Sequence, residues 1–202
     1  MPKYIKKIDS KTFFHNKELK QASIMFAGEG ISKNDPYFYS AYVMNYILGG
    51  GGFFSRLTTE VREKRGLVYS VYSYLYRYDK YNFFSGGAQT SNENVVKVIK
   101  IIKGELIKVK KKGVTEEELK NAKNYLINSY VLRLDSNKKV ASVLLNTQID
   151  GFNTDFFEKR NDYINAVSLQ DIRKIATKIL DENQIFFLVI GNPTDLKNAN
   201  KI

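Results

Sequence analysis

The stretch LGGGGFFSRLTTEVREKRGLVYS, residues 48–70, decides how this chain is read. Four consecutive glycines, Gly49–Gly52, separate an apolar segment from a charged one. On the upstream side, Pro36–Leu48 is apolar nearly all round, through Tyr37, Phe38, Ala41, Val43, Met44 and Ile47. A helix with that pattern is buried on several sides. Asp35-Pro36 gives it a start signal, an N-cap followed by proline at the first helical position. On the downstream side, Phe54–Arg65 reads as a second helix with a narrow stripe of Leu57 and Val61. Gly66 stands where a left-handed C′ residue closes a helix. Leu67–Tyr78 then alternates and is rich in Val and Tyr, which predicts a strand. Tyr81–Thr90 predicts another, and Asp79-Lys80 links the two as an antiparallel hairpin.

Farther out the same two periods recur. Gln21–Gly28 and Gln184–Gly191 are short apolar runs ended by glycine and read as strands. Val95, Val98, Ile99, Ile102, Leu106 and Val109 repeat at helical spacing. Thr115-x-x-Glu118 is a capping box before the helix of Leu119, Ala122, Leu126 and Tyr130. Asn137–Ile149 and Thr154–Val167 read as helices. Ser168-x-x-Asp171 opens the last, with Ile172, Ile175, Ala176 and Ile179 on one face. Strand, two helices, two strands, a run of helices and a strand predict an α+β fold. Its antiparallel sheet has four or more strands, with helices packed on one face. The chain has 202 residues and no Ser/Pro-rich linker, which fits one domain. We expect residues 1–20 as an N-terminal extension or linker remnant, 21–195 as the domain and 196–202 as a tail.

Composition excludes several classes of function. There is no cysteine, hence no disulfide framework and no thiolate metal site. No apolar run is long enough to span a membrane. The opening MPKYIKKIDSKTFF lacks the apolar core of a secretory signal. The net charge of +11 is mostly lysine spread along helices. Its densest run, Lys108 with Lys110–Lys112, reads as a solvated helix end. The four glycines lack the spacing of a dinucleotide loop and the Gly-Lys-Ser/Thr of a P-loop, and they follow a helix. They read instead as a hinge between helices. His15 is the only histidine. One imidazole without thiolates cannot build a conventional hydrolytic zinc centre, so no metal is expected on this chain.

The charged helix allows two readings. Arg56, Arg62 and Arg65 interleave with Glu60 and Glu63, which fits an exposed helix laced with ion pairs. Alternatively, Arg62 in the last turn and Tyr69 early in the strand face one space across Gly66. A guanidinium grips a carbonyl or carboxylate with two hydrogen bonds, and a phenol donates to an oxyanion. Together they make a substrate clamp that has no nucleophile.

With those residues in view, LGGGGFFSRLTTEVREKRGLVYSVYS (48–73) strongly resembles a signature of the pitrilysin/insulinase family of zinc peptidases, to which mitochondrial processing peptidases belong. GVTEEELKNAKNYLINSYVLRLDS (113–136) resembles the helical segment that follows. VSLQDIRKIATKIL and DENQIFFLVIGNP (167–193) resemble the closing helix and strand. The resemblance covers residues 20–193. It implies two similar α+β halves closing around a peptide. The N-terminal half carries zinc on H-x-x-E-H and a downstream Glu. The C-terminal half supplies an Arg and a Tyr that match Arg62 and Tyr69, for binding the peptide backbone and stabilising the tetrahedral intermediate. This chain has no H-x-x-E-H. It therefore reads as a C-terminal half alone, inactive by itself, either a truncated piece of a longer protease or part of a non-catalytic subunit. The implied partners are an H-x-x-E-H half or subunit holding the zinc, and a peptide. Gly51, Gly52, Phe53, Phe54 and Ser55 are expected to line the cleft.

Two competing readings stand beside this one. The first is a degenerate half kept for protease assembly. The second is an RNA-binding sheet, because RGLVYSVY (65–72) loosely resembles an RNP signature. Leu67 stands where that signature has its leading aromatic, and no second signature follows, so nucleic acid is the weaker expectation.

Overall fold

The computed structural model describes residues 11–77, 81–149, 151–153, 155–194, 196 and 200–201. Six strands form one sheet: β1 (Thr12–Asn16), β2 (Gln21–Glu29), β3 (Val68–Arg77), β4 (Asn82–Ser91), β5 (Phe186–Gly191) and β6 (Asn200–Lys201). Their spatial order is β3-β4-β2-β5-β1-β6. The β3-β4, β4-β2 and β2-β5 pairs are antiparallel, while β1 runs parallel to both β5 and β6. The fold is thus the expected α+β class with four or more strands, and its sheet is mixed through the parallel β1. The sequence reading gave no strand before Gln21. Thr12–Asn16 forms one because it pairs alongside β5, Phe13 opposite Leu188 and Phe14 opposite Val189. Its five residues, TFFHN, do not alternate, so the period-2 signal is absent. The Asp79-Lys80 link lies outside the described residues.

The helices are α1 (Phe38–Asn45), α2 (Val95–Lys112), α3 (Glu116–Asn128), α4 (Asn137–Ile149), α5 (Phe156–Ala166) and α6 (Leu169–Ile179). Their apolar stripes and one sheet face make a continuous core. At its centre the Phe26 ring lies 5.9 Å from Phe84 and 5.6 Å from Phe187. The opposite sheet face leaves Met25, Tyr72, Tyr74 and Tyr76 exposed. The α3 and α6 boundaries follow their capping boxes, with Thr115 and Ser168 accepting from the third backbone N–H and Glu118 and Asp171 reaching back. Asp35 does not cap α1 directly. Its carboxylate accepts from Tyr37 N–H at 2.9 Å, making a turn around Pro36, and the helix begins at Phe38.

Neither segment beside the glycines is a plain α-helix. After α1 the chain widens into a π-helical turn, Tyr46–Gly50, closed by Gly51 N–H to Tyr46 C=O. A 3₁₀ turn, Gly52–Phe54, follows. The charged helix starts behind Ser55, whose extended backbone and hydroxyl make it the N-cap, and widens to π pitch over Thr58–Glu63. The glycine run answers two separate demands. Gly49 lies against β3, where an added Cβ would stand 2.5 Å from Ser73 Oγ and 2.8 Å from its backbone nitrogen. Gly52 has φ +57°, a left-handed turn that L side chains resist. The run is therefore built into the packing as well as into a bend.

Candidate functional site

The geometry starts from two local irregularities. Single π turns in helices recur at functional sites, and bulges re-aim side chains at strand ends. Arg62 sits in the first kind. In the π turn Thr58–Glu63, Lys64 N–H reaches back to Thr59 C=O and Leu67 N–H to Val61 C=O. The second bond delivers the chain directly from the helix end into β3. Gly66, with φ +62°, makes the reversal, as its position predicts. Tyr69 sits in the second kind. The β3-β4 register shifts between Val68, opposite Thr90, and Val71, opposite Ala88. Val68 and Val71 both point into the core, so Tyr69 and Ser70 between them are turned outward.

These irregularities bring Arg62 and Tyr69 together. The Arg62 guanidinium carbon lies 5.5 Å from the centre of the Tyr69 ring and 4.7 Å from that of Phe53. Its nearest carboxylate, Glu63, is 3.8 Å from Nε, and the guanidinium makes no hydrogen bond among the described residues. The two rings lie against the cation at cation–π distance, which leaves its N–H groups without a hydrogen-bond acceptor among the described residues. Tyr69 is 84 % exposed and Phe53 66 %.

The expected cleft residues divide. Gly51, Gly52, Phe53 and Phe54 border a groove of about 740 Å³, together with Tyr46, Tyr125, Tyr130 and Arg160. Ser55 does not line it. It is fully buried, and its hydroxyl donates to Gly52 C=O at 2.8 Å and lies 3.0 Å from Thr58 Oγ1, because it is needed as the helix cap. Arg62 and Tyr69 lie outside this groove, on the open surface reached past Phe53, so the shared hollow expected from spacing is an exposed shelf at its rim. Within the groove, burial and then the neighbouring Tyr125 push the Tyr46 phenol up to about 12. The two rings stack at 5.1 Å, and the phenol stays a neutral donor at neutral pH.

The shelf is braced from behind. Arg56, on the same helix as Arg62, makes two 2.6 Å bonds to Glu118, one to each carboxylate oxygen. Glu118 also accepts from the Thr115 backbone N–H at 2.7 Å as the capping-box residue of α3. Arg56 and Glu60 are thus spent on bracing, with Glu60 paired to Lys64 and Arg65. The ion-pair reading of this helix holds for those residues, while Arg62 has only the long 3.8 Å contact to Glu63.

The family model of the peptidase M16 inactive domain matches residues 2–126. The chain belongs to that family. A Bacillus subtilis protein named as an uncharacterised zinc protease, YmxG, is 30% identical over 174 residues, covering 86% of this chain and 42% of its own length. A Helicobacter pylori relative named a non-peptidase homologue is 30% identical over 150 residues, covering 74% of this chain and 34% of its own. The crystal structure of a peptidase M16 inactive domain from Pseudomonas fluorescens superposes with a TM-score of 0.84 at 27% identity, over 100% of this chain and 47% of that one. The chain thus spans less than half the length of these relatives. Zinc enters through the relatives' names, and the donor set here does not fit it. The sequence offers one histidine and no cysteine, and no three candidate ligands cluster among the described residues. No helix among those residues is long and apolar enough to cross a membrane.

Sequence reasoning missed the far wall of the groove, Tyr74, Tyr125 and Arg160. A signal for Arg160 was present. It stands four residues before Ile164 on α5, so a charge occupies the stripe that faces inward.

Proposed function

We propose that this domain of the M16 family acts as the non-catalytic half of a zinc endopeptidase, with Arg62 and Tyr69 as its contribution to the reaction. The observation that carries this reading is the Phe53–Arg62–Tyr69 cluster, which places a guanidinium that makes no hydrogen bond among the described residues beside an exposed phenol. Arg62 grips a backbone carbonyl of the bound peptide through two N–H groups. Tyr69 donates its phenolic proton in a hydrogen bond to the oxygen that becomes negative during attack on the peptide bond. The adjoining groove, apolar with a few polar groups, takes the flanking residues. The zinc and the general base belong to an H-x-x-E-H half or subunit facing this shelf.

The test is peptide hydrolysis by the domain combined with its catalytic half. Tyr69→Phe is expected to lower turnover by about 10²–10³, the loss seen for one oxyanion donor. Arg62→Ala is expected to abolish measurable turnover, with the circular dichroism of both variants unchanged. Full turnover by both variants would leave only assembly, the role consistent with a non-peptidase relative.

A further inference from the structure

Behind the groove lies a second cavity of about 350 Å³, which shares Tyr42, Tyr130 and Arg160 with it. Its walls are mainly aromatic, and Arg77 stands at one side. Arg160 is the anomaly. It is 6% exposed, yet no carboxylate pairs with it among the described residues. It donates to Leu126 C=O at 3.2 Å and to Asn161 Oδ1 at 3.1 Å, and its guanidinium lies 4.0 Å over the Tyr130 ring. Leu126 belongs to the last turn of α3, so this contact caps that helix end and suits its dipole. These two bonds use two of five N–H donors, and buried charges are otherwise paired. A second group points the same way. The Tyr39 hydroxyl is buried and makes no hydrogen bond among the described residues, although Tyr39 lines the same cavity. Burial pushes that phenol up to about 12 against the opposing pull of the Arg160 cation, so it remains a proton donor.

We propose that this cavity is a binding site for a carboxylate borne on an aromatic or branched apolar group, held by Arg160 and the Tyr39 hydroxyl, with Phe38, Tyr42 and Phe152 around the apolar part. A planar guanidinium edge and one phenol match the two oxygens of a carboxylate. Aromatic walls favour an apolar body over a phosphate ester. The carboxylate comes either from a free small acid or from a peptide lying in the adjoining groove. The second source rests on the peptide reading above, and the first does not.

Calorimetric titration of the 202-residue chain tests this with named probes. They are 3-phenylpropionate, its amide, inorganic phosphate, and the peptide acetyl-Ala-Ala-Ala-Phe as acid and as amide. The acids are expected to bind at least about 10-fold more tightly than their amides, the worth of a charge-assisted pair. Arg160→Gln should weaken the acids by about 10- to 100-fold and Tyr39→Phe by about 3- to 10-fold. Tyr39→Phe breaks no internal bond and should leave the melting temperature unchanged or raised, which keeps the test valid should Arg160→Gln unfold α3. Binding of phenylpropionate without the peptide acid supports the site with the free acid as its source. Equal binding of acid and amide, tighter binding of phosphate, no binding of any probe, or affinities untouched by Tyr39→Phe would overturn the proposal. The peptide reading of the shelf is judged separately, by whether Arg62→Ala changes turnover.

Discussion

Replacing glycine by alanine at two positions should move stability in opposite directions. In α2, Gly104 has no atom within 4 Å of an added Cβ, and its backbone is helical. Alanine there removes unfolded-chain entropy and improves helix propensity, a gain of about 0.5–1 kcal/mol. Gly49 sits in a helical turn too, so propensity alone forecasts the same gain. Packing overrides it. The Cβ would stand 2.5 Å from Ser73 Oγ, 2.8 Å from Ser73 N and 2.9 Å from Leu57 Cδ1. Leu57 could swing aside. Ser73 cannot, because its Oγ donates to Asn45 Oδ1 at 2.7 Å and its carbonyl accepts from Asn45 Nδ2 at 3.3 Å. Either the strand bows outward or the turn lifts, an overpacking cost of about 1–3 kcal/mol. For a domain of this size, about 2–4 °C of melting temperature accompanies each kcal/mol. Scanning calorimetry should therefore show Gly49→Ala melting roughly 2–12 °C lower and Gly104→Ala roughly 1–4 °C higher. Lifting the turn also carries Phe53 away from Arg62, so turnover with the catalytic half should fall for Gly49→Ala alone. A Gly49→Ala protein as stable as Gly104→Ala would show that the glycine run is only a hinge, and the close-approach argument would be wrong.

Glu118→Ala removes the bidentate partner of Arg56 and half of the α3 capping box together, and should cost about 2–3 kcal/mol by urea unfolding. A double-mutant cycle with Arg56→Met should return about 1–2 kcal/mol of coupling, and a value near zero would show that the brace contributes nothing. Acid should loosen the same region. Side-chain bonds from Lys64 and then Arg65 hold the Glu60 carboxyl at about 2, below its ordinary 4.5. Lys110 likewise depresses Asp181 and Glu182. A depressed carboxyl contributes stability that is present above its unfolded value and lost as pH falls through the folded one. Melting temperature should then be flat above about pH 5 and fall between pH 4.5 and 2. Glu60→Gln should flatten that fall, and an unchanged acid limb in this variant would remove Glu60 from the account.

Much of the fold is legible because its signals are local. The capping boxes at Thr115 and Ser168 place two helix starts to the residue, and from Val71 onward the alternation of β3 sets which side chains face the core, though the bulge before it turns Tyr69 outward against that alternation. What stays illegible depends on partners distant in sequence. β1 has no pattern of its own and becomes a strand through β5, some 170 positions later. Ser55 looks like a cleft residue by its place after two exposed phenylalanines. Only the register of the following helix turns it into a buried cap. The π turns are invisible to a 3.6-residue period, yet one of them carries Arg62. The ion-paired reading of the helix describes Arg56, Glu60, Lys64 and Arg65, while the clamp reading of Arg62 and Tyr69 is our proposal. Glu60 and Glu118 consume the cations they can reach, and Arg62 meets two rings as well as a long 3.8 Å contact to Glu63. A guanidinium stacked between rings in an exposed position contributes little to folding that a methionine could not. Its open donors are where selection for stability and selection for binding would part, so Arg62→Met should fold as well as the native chain and bind peptide worse. Equal peptide affinity in that variant would mean that the stack is only packing.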